Sequence, residues 1–267
     1  MMAMLRQLFD MTGRVVLITG GLGHLGRMAA ETLAELGADL VLLDLPSEFA
    51  VGVLADLRER YSIKVEYISF DIEKDNIADV PAMVDNIYGR LDVLINNAAF
   101  VGTSNMAGWA VPFSEQSVDA WRRAVEVNLT GVFALTQACA ALLARSNNGA
   151  VINISSIYGS LGPDMRLYDG LSMGNPAAYA ASKGGVNQLT RWLATVLAPT
   201  IRVNAISPGG IFREQPADFC SRYEERTPLQ RLATEEDFKG VIALLATDAS
   251  AYITAQNIFV DGGWGAW

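Results

Sequence analysis

The sequence predicts an α/β fold: a Rossmann-type, doubly wound parallel sheet of about seven strands with helices on both faces. Three observations carry that prediction. Short β-branched runs alternate with longer helical patterns from end to end, as in successive βα units. A glycine-rich turn, Thr19-Gly20-Gly21-Leu22-Gly23-His24-Leu25-Gly26, joins the first strand to the first long helix. Irregular stretches at 99–115, 158–175 and 209–234 each follow the carboxyl end of a strand, where such sheets bind ligands.

The first strand is expected at 14–19, followed by a helix at 24–36 that Gly37 stops. A second strand at 39–44 leads to a helix at 48–60. A third at 65–71 leads to a helix broken at Pro81 that runs on to Tyr88. Strand four is read at 91–96, then a long helical region at 117–144 and a strand at 150–155. The helix carrying Tyr179 starts after Pro176 and precedes a strand at 201–206. A helix at 235–247 and a strand at 257–260 close the pattern. No repeat or low-complexity linker interrupts it, so residues 1–267 are read as one catalytic domain.

Composition narrows the function. The net charge of −9 argues against nucleic acid or an anionic membrane as the main partner, although a local arginine cluster can still oppose it. Cys139 and Cys220 lie far apart in amphipathic stretches and are expected to be free thiols, consistent with a reducing compartment. Residues 1–10 carry no h-region, and no stretch is expected to approach the length of a membrane span, so a cytoplasmic location is the default. With His24 as the single histidine, a Ser-His-Asp triad from dispersed parts and His-rich metal sites are excluded, and no metal is expected.

The chemistry is concentrated in the run Tyr179-Ala180-Ala181-Ser182-Lys183. Positions i and i+4 share one helix face, so a phenol and an ammonium there form one acid–base device. The neighbouring cation is expected to lower the phenol pKa from near 10 toward working pH. Upstream, Asn153-Ile154-Ser155-Ser156 ends an apolar run and supplies hydroxyls. The glycine turn offers a tight bend and a helix N-terminus for a pyrophosphate. Asp44 ends the second strand at the distance expected for a ribose ligand, where a carboxylate accepts from both hydroxyls and repels a 2′-phosphate. NAD is therefore expected over NADP. Asp71-Ile72 is placed beside the adenine ring, with a helix-capping role for Asp71 as the alternative.

In this order, these segments resemble the short-chain dehydrogenase/reductase family, one-domain branch, over about 13–263. The matching pieces are the 19–26 turn, Asn96-Asn97-Ala98-Ala99, Asn128, Ser156 with Gly159, Tyr179 with Lys183, Pro208-Gly209 and Asp261-Gly262-Gly263. The resemblance implies Tyr179 as general acid or base at the substrate oxygen. Lys183 would lower its pKa and hold the nicotinamide ribose. Ser156 would hydrogen-bond the carbonyl or hydroxyl, and Asn128 would position a water linking Lys183 to solvent. Gly20, Gly23, Leu25, Gly26, Asp44, Asp71, Ile72, Asn96 and Ala98 would contact the cofactor, and Pro208, Gly209 and Ile211 would border its nicotinamide. It also implies a homotetramer or homodimer built on the helices that carry Asn128 and Tyr179.

Departures from the family pattern carry information. His24 stands where many relatives have glycine, and the spacing of Gly20, Gly23 and Gly26 is similar to that of the sugar-nucleotide branch. His24 is read as a neutral packed or exposed residue, with a pH switch as the alternative. The stretch from Ser156 to Tyr179 exceeds the family's usual length, so 161–175 is read as an insertion. It offers Tyr158, Met165, Arg166 and Tyr168 as substrate contacts, or else a surface or subunit contact. Arg213 takes the place of a threonine and is a candidate for phosphate or an anionic substrate. Arg222, Arg226 and Arg231 are expected on a solvated helix. Trp264 and Trp267 are expected to cover the substrate loop or pack on another subunit.

The expected activity is NAD-dependent interconversion of a secondary alcohol and a ketone, on a polar, carbohydrate-like small molecule. Reduction of a 3-oxoacyl thioester is the enzymatic alternative. A catalytically idle NAD(H)-binding scaffold is the non-enzymatic one.

Overall fold

The computed structural model describes residues 3–101, 106–146 and 148–267, so part of the 99–115 loop lies outside the described residues. A four-residue helix α1 (Leu5–Leu8) precedes β1 (Val15–Thr19), α2 (His24–Glu35), β2 (Asp39–Asp44), α3 (Ala50–Tyr61) and β3 (Val65–Ser69). Next come α4 (Val80–Tyr88), β4 (Val93–Asn96), α5 (Val118–Val125), α6 (Gly131–Ala144), β5 (Gly149–Ile154) and α7 (Ala177–Val196). The chain continues with β6 (Ile201–Pro208), α8 (Ala217–Arg226), α9 (Lys239–Ala246) and β7 (Asn257–Val260).

All seven strands form one parallel sheet in the order β3-β2-β1-β4-β5-β6-β7. The chain reverses direction across the sheet between β1 and β4, which opens a crevice at their carboxyl ends. Side chains alternate faces. Val16, Ile18, Leu40 and Leu42 pack with Met28 and Leu33 of α2 and Ile242 and Leu245 of α9. Val15, Leu17, Val41 and Leu43 pack on the other face with Leu135, Cys139 and Leu142 of α6 and Leu193 of α7. Burying each of these large side chains contributes roughly 1.5–3 kcal/mol. Apolar cover on both faces explains why the strands read as continuous apolar runs.

Several expectations need correction. Pro81 sits in the first turn of α4, where its missing N–H costs nothing, so it starts that helix and does not break it. The 117–144 region is two α-helices joined by a π turn over Glu126–Thr130, a local widening that leaves Asn128 buried. The 235–247 helix opens with a 3-10 turn, Glu235–Phe238. Contrary to expectation, the 27-residue stretch Val118–Ala144 is long and apolar enough to cross a membrane, with a mean hydropathy of 1.6 over its most apolar 18 residues. Its apolar side faces the sheet: Leu135, Thr136, Cys139, Leu142 and Leu143 are all buried. High hydropathy here reflects a helix packed between sheet and neighbouring helices.

Candidate active site

The crevice at the strand ends is a cavity of about 790 Å³. Its walls come from the glycine turn, the ends of β2 and β3, the segment after β4, the Ser156 turn, α7 and the loop after β6. Gly20 adopts a left-handed φ of +63°, and a Cβ there would lie 2.9 Å from Asn97 Nδ2. A Cβ on Gly26 would lie 2.0 Å from the Gly20 carbonyl oxygen, so Gly26 lets α2 pack against the turn and is not itself in the cavity wall. Gly23 caps α2 without a side-chain hydrogen bond, leaving first-turn N–H groups toward the cavity. Gly20, Gly23, His24 and Leu25 line it. Side chains at Gly20 or Gly26 would collide with the turn's own neighbours, so these glycines let the turn fold tightly against α2 and the segment after β4.

Asp44 closes the cavity at the end of β2. Its Oδ2 accepts the Leu22 N–H and its Oδ1 the Leu45 N–H, both at 2.8 Å. Those bonds fix the carboxylate while each oxygen keeps further acceptor capacity for a diol. Asp71 and Ile72 line the same end. Lys74, 2.7 Å from Asp71, holds that carboxyl below its ordinary range, and Asp71 also accepts the Glu73 N–H.

Asn97 and Ala98 line the cavity, whereas Asn96 does not. Asn96 lies on β4, and its amide turns into the core to donate to Asn153 Oδ1 (2.8 Å) and Thr136 Oγ1 (3.1 Å). Its neighbour Asn97 instead donates to the carbonyls of Thr19 and Gly20, each at 3.0 Å. Of the pair, the structure therefore puts Asn97 in the cavity wall and Asn96 in the core, contrary to the expectation for Asn96.

At the floor, Ser156, Tyr179 and Lys183 converge. Ser156 Oγ accepts the Tyr158 N–H at 3.2 Å, and its hydroxyl reaches the Tyr179 phenol. Lys183 is buried, and its Nζ donates to the Ile154 carbonyl at 2.7 Å and lies 5.8 Å from the Tyr179 ring centre. Burial pulls the Lys183 pKa down to about 8. Burial pushes the Tyr179 phenol up, and the Ser156 hydroxyl partly opposes that shift. The expected net lowering of the phenol by Lys183 is therefore not seen. In a water-poor pocket, loss of hydration disfavours the phenolate more than an ammonium at this distance favours it.

Asn128 braces the floor. Its Oδ1 accepts the Phe100 N–H at 2.6 Å, and its Nδ2 donates to the Phe100 carbonyl and to Ser182 Oγ. Ser182 in turn donates to the Tyr179 carbonyl at 2.9 Å. The amide thus links the segment after β4 to the helix of Tyr179. Pro208, Gly209, Ile211 and Arg213 complete the wall.

The insertion lies apart from this wall. Tyr158 and Tyr168 meet hydroxyl to hydroxyl at 3.3 Å, within an apolar cluster that includes Leu167, Phe219, Tyr223 and Trp264. Arg166 pairs with Asp164 at 2.7 Å, and Met165 is exposed. None of these four candidates lines the cavity. Nor are the following arginines merely solvated. Arg222 donates to the carbonyls of Arg166, Leu167 and Asp169, Arg226 pairs with Asp164, and Arg231 pairs with Asp237. Trp264 is buried and stacks on Tyr223 at 4.3 Å, while Trp267 stays exposed and donates to the Arg226 carbonyl. Sequence reasoning missed Phe100, Arg123 and Gln215 in the wall. Arg123 pairs with Glu73 at 3.0 Å and lies over the Phe100 ring, a meeting of separated segments with no local signature.

Known proteins share this architecture. A family model described as enoyl-(acyl carrier protein) reductase matches residues 23–265. The cis-4-hydroxycyclohexanecarboxylate dehydrogenase of Sinomonas cyclohexanicum is 34% identical over 259 residues, covering 95% of this chain and 97% of that protein. A gluconate 5-dehydrogenase from Burkholderia cenocepacia, solved with NADP and tartrate, superposes with a TM-score of 0.86 at 28% identity, covering 99% and 100% of the two chains. An NAD+-bound xylitol dehydrogenase gives 0.84 at 28% identity, covering 95% and 99%. Similarity of this extent, on a site of this form, places the chain in the short-chain dehydrogenase/reductase family, alcohol and ketone oxidoreductases that work with nicotinamide cofactors.

Proposed function

We propose that this protein interconverts a secondary alcohol and a ketone on a polar, carbohydrate-like small molecule, with NAD(H) preferred over NADP(H). The observation that carries the reading is the convergence of Ser156, Tyr179 and Lys183 at the floor of a cavity whose far end is closed by Asp44. Gly20, Gly23 and Leu25 would hold the diphosphate, Asp44 the adenosine ribose, Asp71, Ile72 and Ala98 the adenine side, and Pro208, Gly209 and Ile211 the nicotinamide. When bound, that cofactor supplies or accepts hydride.

The protein's own part is proton management. Ser156 donates a hydrogen bond to the substrate oxygen, where charge builds up during the reaction. Tyr179 exchanges a proton with that same oxygen. A phenol raised by burial keeps its proton at neutral pH and so serves well as the acid in ketone reduction. Lys183, with an ammonium in the cavity wall, binds ribose hydroxyls and favours the phenolate needed for alcohol oxidation. Asn128 holds Tyr179 in place through Ser182.

Asp44 supports the cofactor preference, because a fixed carboxylate accepts from a ribose diol and repels a 2′-phosphate. The polar substrate is supported by relatives named for gluconate, xylitol and a hydroxycyclohexanecarboxylate. The reading includes one catalytic domain over 1–267, a cytoplasmic location and a homotetramer or homodimer. Half-exposed Trp121, Phe133 and Trp192 on α5, α6 and α7 support an interface there. The test is to assay NAD+ and NADP+ reduction with sugars, polyols and hydroxy acids, and the reverse reaction with ketones and 3-oxoacyl thioesters. NAD+-linked oxidation of a polyol or sugar acid is expected. Preference for NADP(H) would overturn the cofactor assignment, turnover only of thioesters the substrate class, and NADH binding without turnover the enzymatic reading.

A further inference from the structure

Arg213 stands at the cavity rim, apart from the Ser156, Tyr179 and Lys183 group. The loop that carries it is pinned in place. Gln215 Oε1 accepts the Arg213 N–H at 2.6 Å, and Gln215 Nε2 donates to the Ile211 carbonyl at 2.8 Å. Glu214 between them takes a left-handed φ of +57°, a conformation that non-glycine residues hold only where the surroundings impose it. The turn presents the Arg213 side chain to the cavity.

Its guanidinium is not free. Nη1 lies 2.6 Å from Glu235 Oε1 and also donates to the Phe212 carbonyl. The same Glu235 oxygen lies 3.8 Å from Nδ1 of His24, the first residue of α2. One carboxylate therefore bridges Arg213 to the uncapped helix end where the glycine turn closes. Among the described residues, the other cations in the wall are Arg123, held by Glu73, and Lys183, at the floor. Arg213 is the one beside the phosphate cradle. Glu235 itself is not part of the wall.

We propose that Arg213 binds the cofactor diphosphate across from the start of α2, and that Glu235 is the counter-ion it exchanges for that diphosphate. Glu235 thereby sets cofactor affinity. The proposal rests on the dinucleotide reading above. A diphosphate brings two negative charges to a guanidinium already holding a carboxylate, so both anions cannot keep the contact without repulsion. The Glu235 side chain is 31% exposed and can turn to water when displaced. Without cofactor the guanidinium holds Glu235 as its counter-ion, and dinucleotide binding must compete with that pair.

The test measures dissociation constants on the full chain by tryptophan fluorescence and calorimetry, for NADH, ADP-ribose and adenosine. ADP-ribose keeps the diphosphate without the nicotinamide, and adenosine lacks both. Glu235→Gln should tighten NADH and ADP-ribose about 3–10-fold, and Arg213→Ala should weaken both by about tenfold or more, with Arg213→Lys between. Adenosine should change less than about twofold in every variant. If the wild-type chain bound no dinucleotide, the cofactor reading itself would fail. Wild-type binding that neither Glu235→Gln nor Arg213→Ala altered would overturn the exchange alone. So would an Arg213→Ala variant that kept its ADP-ribose affinity and lost only KM for an anionic substrate.

Discussion

The two ends of the cavity are held by different kinds of interaction. At the end formed by the glycine turn and β2, side chains are anchored on main-chain groups: the Asp44 carboxylate on two N–H groups, and Asn97 on the Thr19 and Gly20 carbonyls. Around the loops after β5 and β6, side chains from distant segments clamp one another. Arg222 and Arg226 hold the insertion, and the Tyr223 hydroxyl accepts the Gly210 N–H while its ring stacks on Trp264. The glycine-turn end thus rests on hydrogen bonds to the main chain, whereas the other depends on side chains packed against one another. That packing backs the cavity wall at Gly209, beside the Tyr223 hydroxyl, and does not itself line the cavity.

The sharpest way to break this contrast is Trp264→Ala. It removes a buried ring stacked on Tyr223 and faced by Arg226, and should cost about 3–5 kcal/mol of stability. Chemical denaturation measures the loss. Substrate KM should rise much more than NADH Kd, and equal changes in both would dissolve the distinction between the ends. Ser156→Ala comes next, lowering kcat by about 10²–10³ with little effect on NADH binding in a stopped-flow titration. Asp44→Asn acts only at the adenosine end. It should weaken NADH by roughly 1–3 kcal/mol and narrow the gap to NADPH, as competitive titrations would reveal.

A further test is a pH dependence at the floor. Folded Lys183 gives up its proton near pH 8, below the ordinary lysine value of 10.5. Between those values the unfolded chain binds more protons, so this group makes the fold more stable as pH rises. Denaturant titrations across that window should show the wild-type chain gaining stability relative to Lys183→Met. A difference that stayed flat with pH would mean Lys183 is not desolvated as described.

Legibility followed the same divide. The Gly20–Gly26 turn, Asp44, and the Tyr179 and Lys183 spacing were readable because each lies within one element and its periodicity sets its face. Strand alternation was readable too, but not which of Asn96 and Asn97 faces the cavity, since strand side chains alternate from one residue to the next. The clamp of Arg222 on the insertion and of Arg123 on Glu73 joins residues about 50 positions apart, which no local pattern encodes. The direction of the Tyr179 shift was also hidden. Spacing reveals a neighbouring charge, but burial is a property of the assembled fold.

The central claim is that the Tyr179 phenol trades a proton with the substrate oxygen at the floor of the nucleotide cavity. Tyr179→Phe removes the hydroxyl and leaves the ring, so it is best studied by turnover beside NADH titration on one preparation. The account predicts a fall in kcat of about 10²–10⁴ with NADH affinity nearly unchanged. Turnover close to wild type in that variant would contradict it.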